Sequence, residues 1–69
     1  MNKSLIKARR IEKGYSQEAV ARKLDITLRT YQKIENDESY LPNVITGLQL
    51  AYVLRMNPFR LWSVTKPNS

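Results

Sequence analysis

The chain contains no cysteine and no histidine. The first absence excludes disulfides and thiolate metal sites, and the second removes the commonest metal ligand and the commonest general base. Glycine occurs only at Gly14 and Gly47, too few and too far apart for a glycine-rich phosphate loop. No window approaches the ~18 consecutive apolar residues of a membrane span. Met1 to Arg10 lacks an apolar run followed by a small-residue cleavage site, so no secretory signal is read there and a cytoplasmic location is expected. Acidic residues are also scarce. Glu12, Glu18, Asp25, Glu35, Asp37 and Glu38 suggest no pocket-forming pair, and no nucleophile sits beside a base. The sequence therefore points away from an enzyme, a bound metal, a cofactor and a small-molecule substrate.

What is present is positive charge. Twelve Lys and Arg against six Asp and Glu give a net charge of +6. Such an excess favours a polyanionic partner, because neutralising phosphates releases condensed counterions, although charge alone fits a membrane surface as well. The 69 residues have room for one domain, and 42% of them are hydrophobic, enough for a globular core. We place that domain at residues 1–64, with 65–69 as a flexible tail.

The pattern predicts an all-α fold, a compact domain of four to five helices, with no alternation long enough for a strand. The first helix runs from about Leu5 to Lys13, with Ile6 and Ile11 inward and Gly14 ending it. Ser16 caps a second, Gln17 to Leu24, whose inner face is Val20, Ala21 and Leu24. Thr27 caps a third, Leu28 to Asn36. Asn43 caps a fourth, Val44 to about Arg55, with Leu48, Ala51 and Tyr52 expected inward. Gly47 lies inside it, which a close helix crossing would explain. Asn57 followed by Pro58 signals a short last helix carrying Phe59, Leu61 and Trp62.

Residues 17–36 carry the functional signal. Helix, three-residue turn and helix at this spacing form a helix-turn-helix. A small residue is needed where the helices approach, which Ala21 supplies, and an apolar one must seat the turn, which Ile26 supplies. At ~100° per residue, with Leu28 at zero, Gln32 falls at roughly 40°, Asn36 at roughly 80°, Arg29 at roughly 100° and Lys33 at roughly 140°. Tyr31 and Ile34 fall on the opposite side, at roughly 300° and 240°. One face is core, and the other is a stripe of amide, guanidinium and ammonium groups. Those groups match the donors and acceptors that base pairs display in the major groove.

With these features the chain resembles the phage repressor and Cro-like family of helix-turn-helix proteins. The matching residues are Arg9-Arg10-Ile11, Tyr15-Ser16-Gln17-Glu18, Ala21, Ile26-Thr27, Ile34-Glu35 and Leu50-Ala51. They span about Leu5 to Trp62. The resemblance implies a transcriptional regulator, a repressor by preference, that binds double-stranded DNA at an inverted-repeat operator as a homodimer in the nucleoid. It implies base reading by Thr27, Leu28, Arg29, Gln32 and Lys33, and backbone contacts by Gln17, Thr30 and Asn36. It also implies an ion pair between Arg10 and Glu35. Two residues depart from the family pattern: Asp25 stands where the turn usually has glycine, and Tyr31 replaces an inner-face aliphatic residue.

Other cations are candidates for phosphate contact: Lys3, Lys7, Arg9 and Lys13 in the first helix, Arg22 and Lys23 in the second. A solvated helix face is the plainer reading of each. Val53, Leu54, Leu61 and Trp62 exceed what so small a domain can bury, which points to a subunit interface. The competing function is an antitoxin or other protein-interaction module built on the same fold. It predicts that the stripe at Leu28 to Asn36 is dispensable and the surface of the last two helices is not.

Overall fold

The computed structural model describes residues 1–62. Among them, five helices follow one another without a strand: α1 (Lys3–Glu12), α2 (Gln17–Lys23), α3 (Leu28–Asn36), α4 (Val44–Val53) and α5 (Pro58–Leu61). The expected tail and the boundary at residue 64 lie outside the described residues. Each helix starts at a residue whose side-chain oxygen accepts an otherwise unpaired amide of the first turn. Ser16, Thr27, Asn43 and Asn57 do this as expected, for Ala19, Thr30, Thr46 and Phe59. A fifth cap lies outside the expected set. Asn2 Oδ1 accepts from the Leu5 amide at 3.0 Å, and α1 therefore begins at Lys3 rather than Leu5.

Three helices end in the same way. After α1, the Gly14 amide donates to Ile11 O and the Tyr15 amide to Arg10 O. After α2 the same pair of bonds runs from Asp25 to Arg22 and from Ile26 to Ala21; after α4 it runs from Arg55 to Tyr52 and from Met56 to Ala51. This is the Schellman closure, which needs a left-handed residue just past the helix. Gly14 (φ +73°), Asp25 (φ +56°) and Arg55 (φ +56°) occupy that position. Asp25 thus takes the left-handed place where the family pattern usually has glycine. Arg55 corrects the expected end of α4, because a left-handed residue cannot continue a right-handed helix.

The core is built from Ile6 of α1, Val20, Ala21 and Leu24 around α2, Tyr31 and Ile34 of α3, Leu50, Ala51 and Leu54 around α4, and Leu61 of α5. Two sequence expectations fail here. Ile11 is 58% exposed, since five residues carry it about 140° around α1 from Ile6. On α4, Leu48 and Tyr52 face outward, at 48% and 70% exposure. The inward face is instead Gly47, Leu50, Ala51 and Leu54, which share helical spacing with one another.

Gly47 is required by a side chain rather than by a helix crossing. A Cβ there would collide with the indole of Trp62, which lies on the bare backbone. Gly47→Ala should add about 1 kcal/mol of helix propensity yet displace that ring. The expected result is a red-shifted emission from the sole tryptophan with no net gain in urea midpoint. Unchanged emission would mean that the ring does not rest on Gly47.

Candidate nucleic-acid interface

The turn between α2 and α3 brings the two helices together over Ala21, which is 2% exposed, with Ile26 half-buried against the core. Thr27 then starts α3. Its hydroxyl accepts from the Thr30 amide at 3.1 Å and bonds the Thr30 hydroxyl at 2.9 Å. This fixes the first turn of the helix, the part nearest the turn motif. From there the helix divides as its periodicity predicts. Tyr31, Ile34 and Glu35 are buried, whereas Thr27, Leu28, Arg29, Gln32, Lys33 and Asn36 are exposed and Thr30 is half-buried. Leu28, 40% exposed, presents the one large apolar group of this stripe. Arg29, Gln32, Lys33 and Asn36 share a shallow depression with Asp37 and Glu38 at its far end.

Behind the stripe lies a buried ion pair. Arg10 Nε donates to Glu35 Oε2 at 2.9 Å, and Arg10 Nη2 donates to Glu35 Oε1 at 3.0 Å. The third guanidinium nitrogen donates to Tyr15 O at 2.9 Å. The side chains are 12% and 1% exposed, so α1 holds the last turn of α3 through a desolvated fork. Burial is the largest single influence and would raise the Glu35 pKa, but the Arg10 guanidinium, together with the Tyr31 hydroxyl and the Gln17 amide, holds the carboxyl below its usual range. The Tyr31 hydroxyl is buried beside this pair without a hydrogen bond of sound geometry. Burial first, and the neighbouring carboxylate second, push its pKa upward. Half-buried Gln17 opens α2 next to Glu35, with its amide nitrogen 3.4 Å from Glu35 Oε1.

A family profile described as helix-turn-helix matches residues 6–60. The chain belongs to the helix-turn-helix family. The match spans most of the chain and agrees with the resemblance to the repressor and Cro-like type read from the sequence. It makes the chain a DNA-binding helix-turn-helix domain. Neither a curated protein nor a solved structure matches it. No helix among the described residues is long and apolar enough to cross a membrane.

Two cations of the helix-turn-helix domain that sequence reading places on a solvated face, or against phosphate, are structural. Lys3 is buried, and its ammonium donates to Ile34 O near the end of α3 and to Tyr40 O at 2.8 Å. Arg9 reaches the end of α4 instead, where Nη2 donates to Leu54 O at 3.0 Å and Arg55 O at 2.8 Å. Each satisfies a carbonyl that a helix C-terminus leaves open, Ile34 O for Lys3 and Leu54 O for Arg9. Lys7 and Lys13 are exposed, Arg22 pairs with Glu18, and the Lys23 ammonium lies 5.1 Å from the centre of the Tyr15 ring.

The expected subunit interface needs correction. Leu54 and Leu61 are fully buried core residues and have no surface to offer a partner. Val53 and Trp62 are half-buried against that core. The surplus apolar surface lies one helical face away, on Val44, Ile45, Leu48, Tyr52 and Phe59. Reading α4 in the wrong phase conceals it, since Ala51 fits both faces.

Proposed function

We propose that this domain is a sequence-specific regulator of transcription that reads the major groove with α3 and binds an inverted repeat as a homodimer. The observation that carries the reading is the exposed stripe of Thr27, Leu28, Arg29, Gln32, Lys33 and Asn36 on a helix whose inner face is clamped by Tyr31, Ile34 and Glu35. Arg29 has the fork that matches O6 and N7 of guanine, Gln32 and Lys33 reach neighbouring base edges, and Leu28 suits a thymine methyl. Gln17, Thr30 and Asn36 position the domain on phosphates, which carry no sequence information. The apolar residues Val44, Ile45, Leu48 and Phe59 supply a face for pairing two copies, and two-fold pairing gives two half-sites. Occupying an operator in this way represses by exclusion.

Selection from random DNA is expected to return an inverted repeat. On that site, Arg29→Ala should lose about 1–3 kcal/mol of discrimination, so its affinity falls far more for the selected site than for scrambled DNA. Asn36→Ala should weaken both DNAs by a similar factor. Equal loss on both DNAs from Arg29→Ala would make Arg29 a phosphate ligand. Failure to select any sequence would favour a protein partner over DNA as the main target.

A further inference from the structure

The buried ion pair does not end at Arg10. Glu35 Oε1 also accepts from Gln17 Nε2 at 3.4 Å, and Gln17 Oε1 in turn accepts from Gln32 Nε2 at 3.4 Å. The series runs from the inside of the domain to its reading face: Glu35 is buried, Gln17 half-buried and Gln32 exposed. Bonds of this length add little energy, but they have a direction.

That direction is set at the buried end. An ionised carboxylate only accepts hydrogen bonds, so Glu35 requires the amide nitrogen of Gln17. The Gln17 oxygen is then turned to Gln32, which must offer its own nitrogen. Reversing either amide would set oxygen against oxygen. The carboxylate cannot relent by taking up a proton at neutral pH, because Arg10 holds both of its oxygens.

We propose that Glu35 and Gln17 are positioning residues that fix the sense of the Gln32 amide, making Gln32 a reader of adenine against guanine. The inference rests on the assignment of α3 as the reading helix. A free glutamine carries two N–H hydrogens and one carbonyl oxygen. With one hydrogen committed to Gln17, Gln32 shows the DNA one donor and one acceptor side by side. Adenine presents the complement, an N6 donor and an N7 acceptor. Guanine presents two acceptors, O6 and N7, so one of them would meet the Gln32 carbonyl.

The test substitutes every base pair of the selected operator and measures relative affinities for wild type and four variants. Gln32→Ala identifies the pair that Gln32 reads, because the preference there flattens. Gln17→Met, similar in length, removes both amide bonds without opening a cavity, and Glu35→Gln keeps the shape while offering a donor. Wild type should prefer adenine to guanine at the Gln32 pair by about tenfold. In Gln17→Met and Glu35→Gln that ratio should fall to about twofold or less while preferences at other pairs persist. Removing a phosphate ligand at Gln17 lowers all affinities equally and leaves the ratio untouched, so the two roles separate. If Glu35→Gln does not fold, Gln17→Met decides the question alone. An intact ratio in Gln17→Met, or a Gln32→Ala variant that changes no preference, overturns the proposal. Arg29→Ala shows which level has failed. If it still flattens its own pair, α3 reads DNA and only the relay is wrong. If wild type binds all sequences alike, the reading assignment falls and the relay with it.

Discussion

Replacing Arg10 with methionine should cost about 3–5 kcal/mol of folding stability, because it leaves the Glu35 carboxylate buried without its counter-charge. The pair is bidentate and the Glu35 side chain is 1% exposed, so water cannot replace the guanidinium. Tyr15 O loses its donor as well. A domain of this size has only about 3–10 kcal/mol in total, so the variant should be largely unfolded at moderate urea. Its pH dependence should also change sign. In wild type, Glu35 titrates below its usual range, so its stabilisation is present at neutral pH and lost as pH falls through that depressed value. In Arg10→Met, burial, the largest single influence, is opposed only by Tyr31 and Gln17, and the pKa rises. Stability should then be greatest in acid, where the carboxyl is neutral, and decline as pH climbs through the raised value. Urea midpoints of wild type, Arg10→Met, Glu35→Gln and the double variant, each across pH, test both statements. Additive losses would show that the two residues do not interact.

Lys3→Ala should be the next most damaging change, costing about 2–4 kcal/mol by stranding two carbonyls at Ile34 and Tyr40. Lys3 as a residue is nearly as inaccessible as Glu35, at 6% against 5% exposed. Burial lowers its pKa, opposed by Glu38 and Asp37 nearby. Lys3→Met separates the two contributions of the side chain: it keeps the packing of the aliphatic stem and removes only the donors. We expect most of the loss to persist in that variant. Amide exchange should quicken at the end of α3 and in the segment from Asp37 to Tyr40. A urea midpoint unchanged from wild type would mean that water serves these carbonyls as well as the ammonium does.

These two cations mark where the sequence is legible and where it is not. The bounds of α3, Leu28 to Asn36, follow from its cap and its periodicity, and the structure has the same bounds. So do the caps at Ser16, Thr27, Asn43 and Asn57, because a cap acts within three residues of itself. Arg10 with Glu35 comes from family likeness, since nothing in a spacing of twenty-five residues announces a pair. Lys3 and Arg9 have no such guide. Each donates to carbonyls more than thirty residues away, and a backbone carbonyl has no residue type to recognise. Their long stems fit water equally well. Asn2 is easily passed over because the lysine after it reads as exposed charge. The phase of α4 is ambiguous for another reason: apolar residues occur on several sides of that helix, so periodicity alone does not choose the buried one.

Tyr31, Ile34 and Glu35 mount α3 from within, while Leu28, Arg29, Lys33 and Asn36 touch solvent and none of them forms a side-chain hydrogen bond among the described residues. The residues that mount the helix and those it turns outward are therefore different residues of one helix. Descendants of this chain can drift at those four outer positions without passing through unfolded intermediates, because exposed substitutions of this kind shift stability by only about 0.5 kcal/mol. Position 32 is the exception. Its amide meets Gln17 and through it Glu35, so a change there costs little stability but also frees the Gln17 amide.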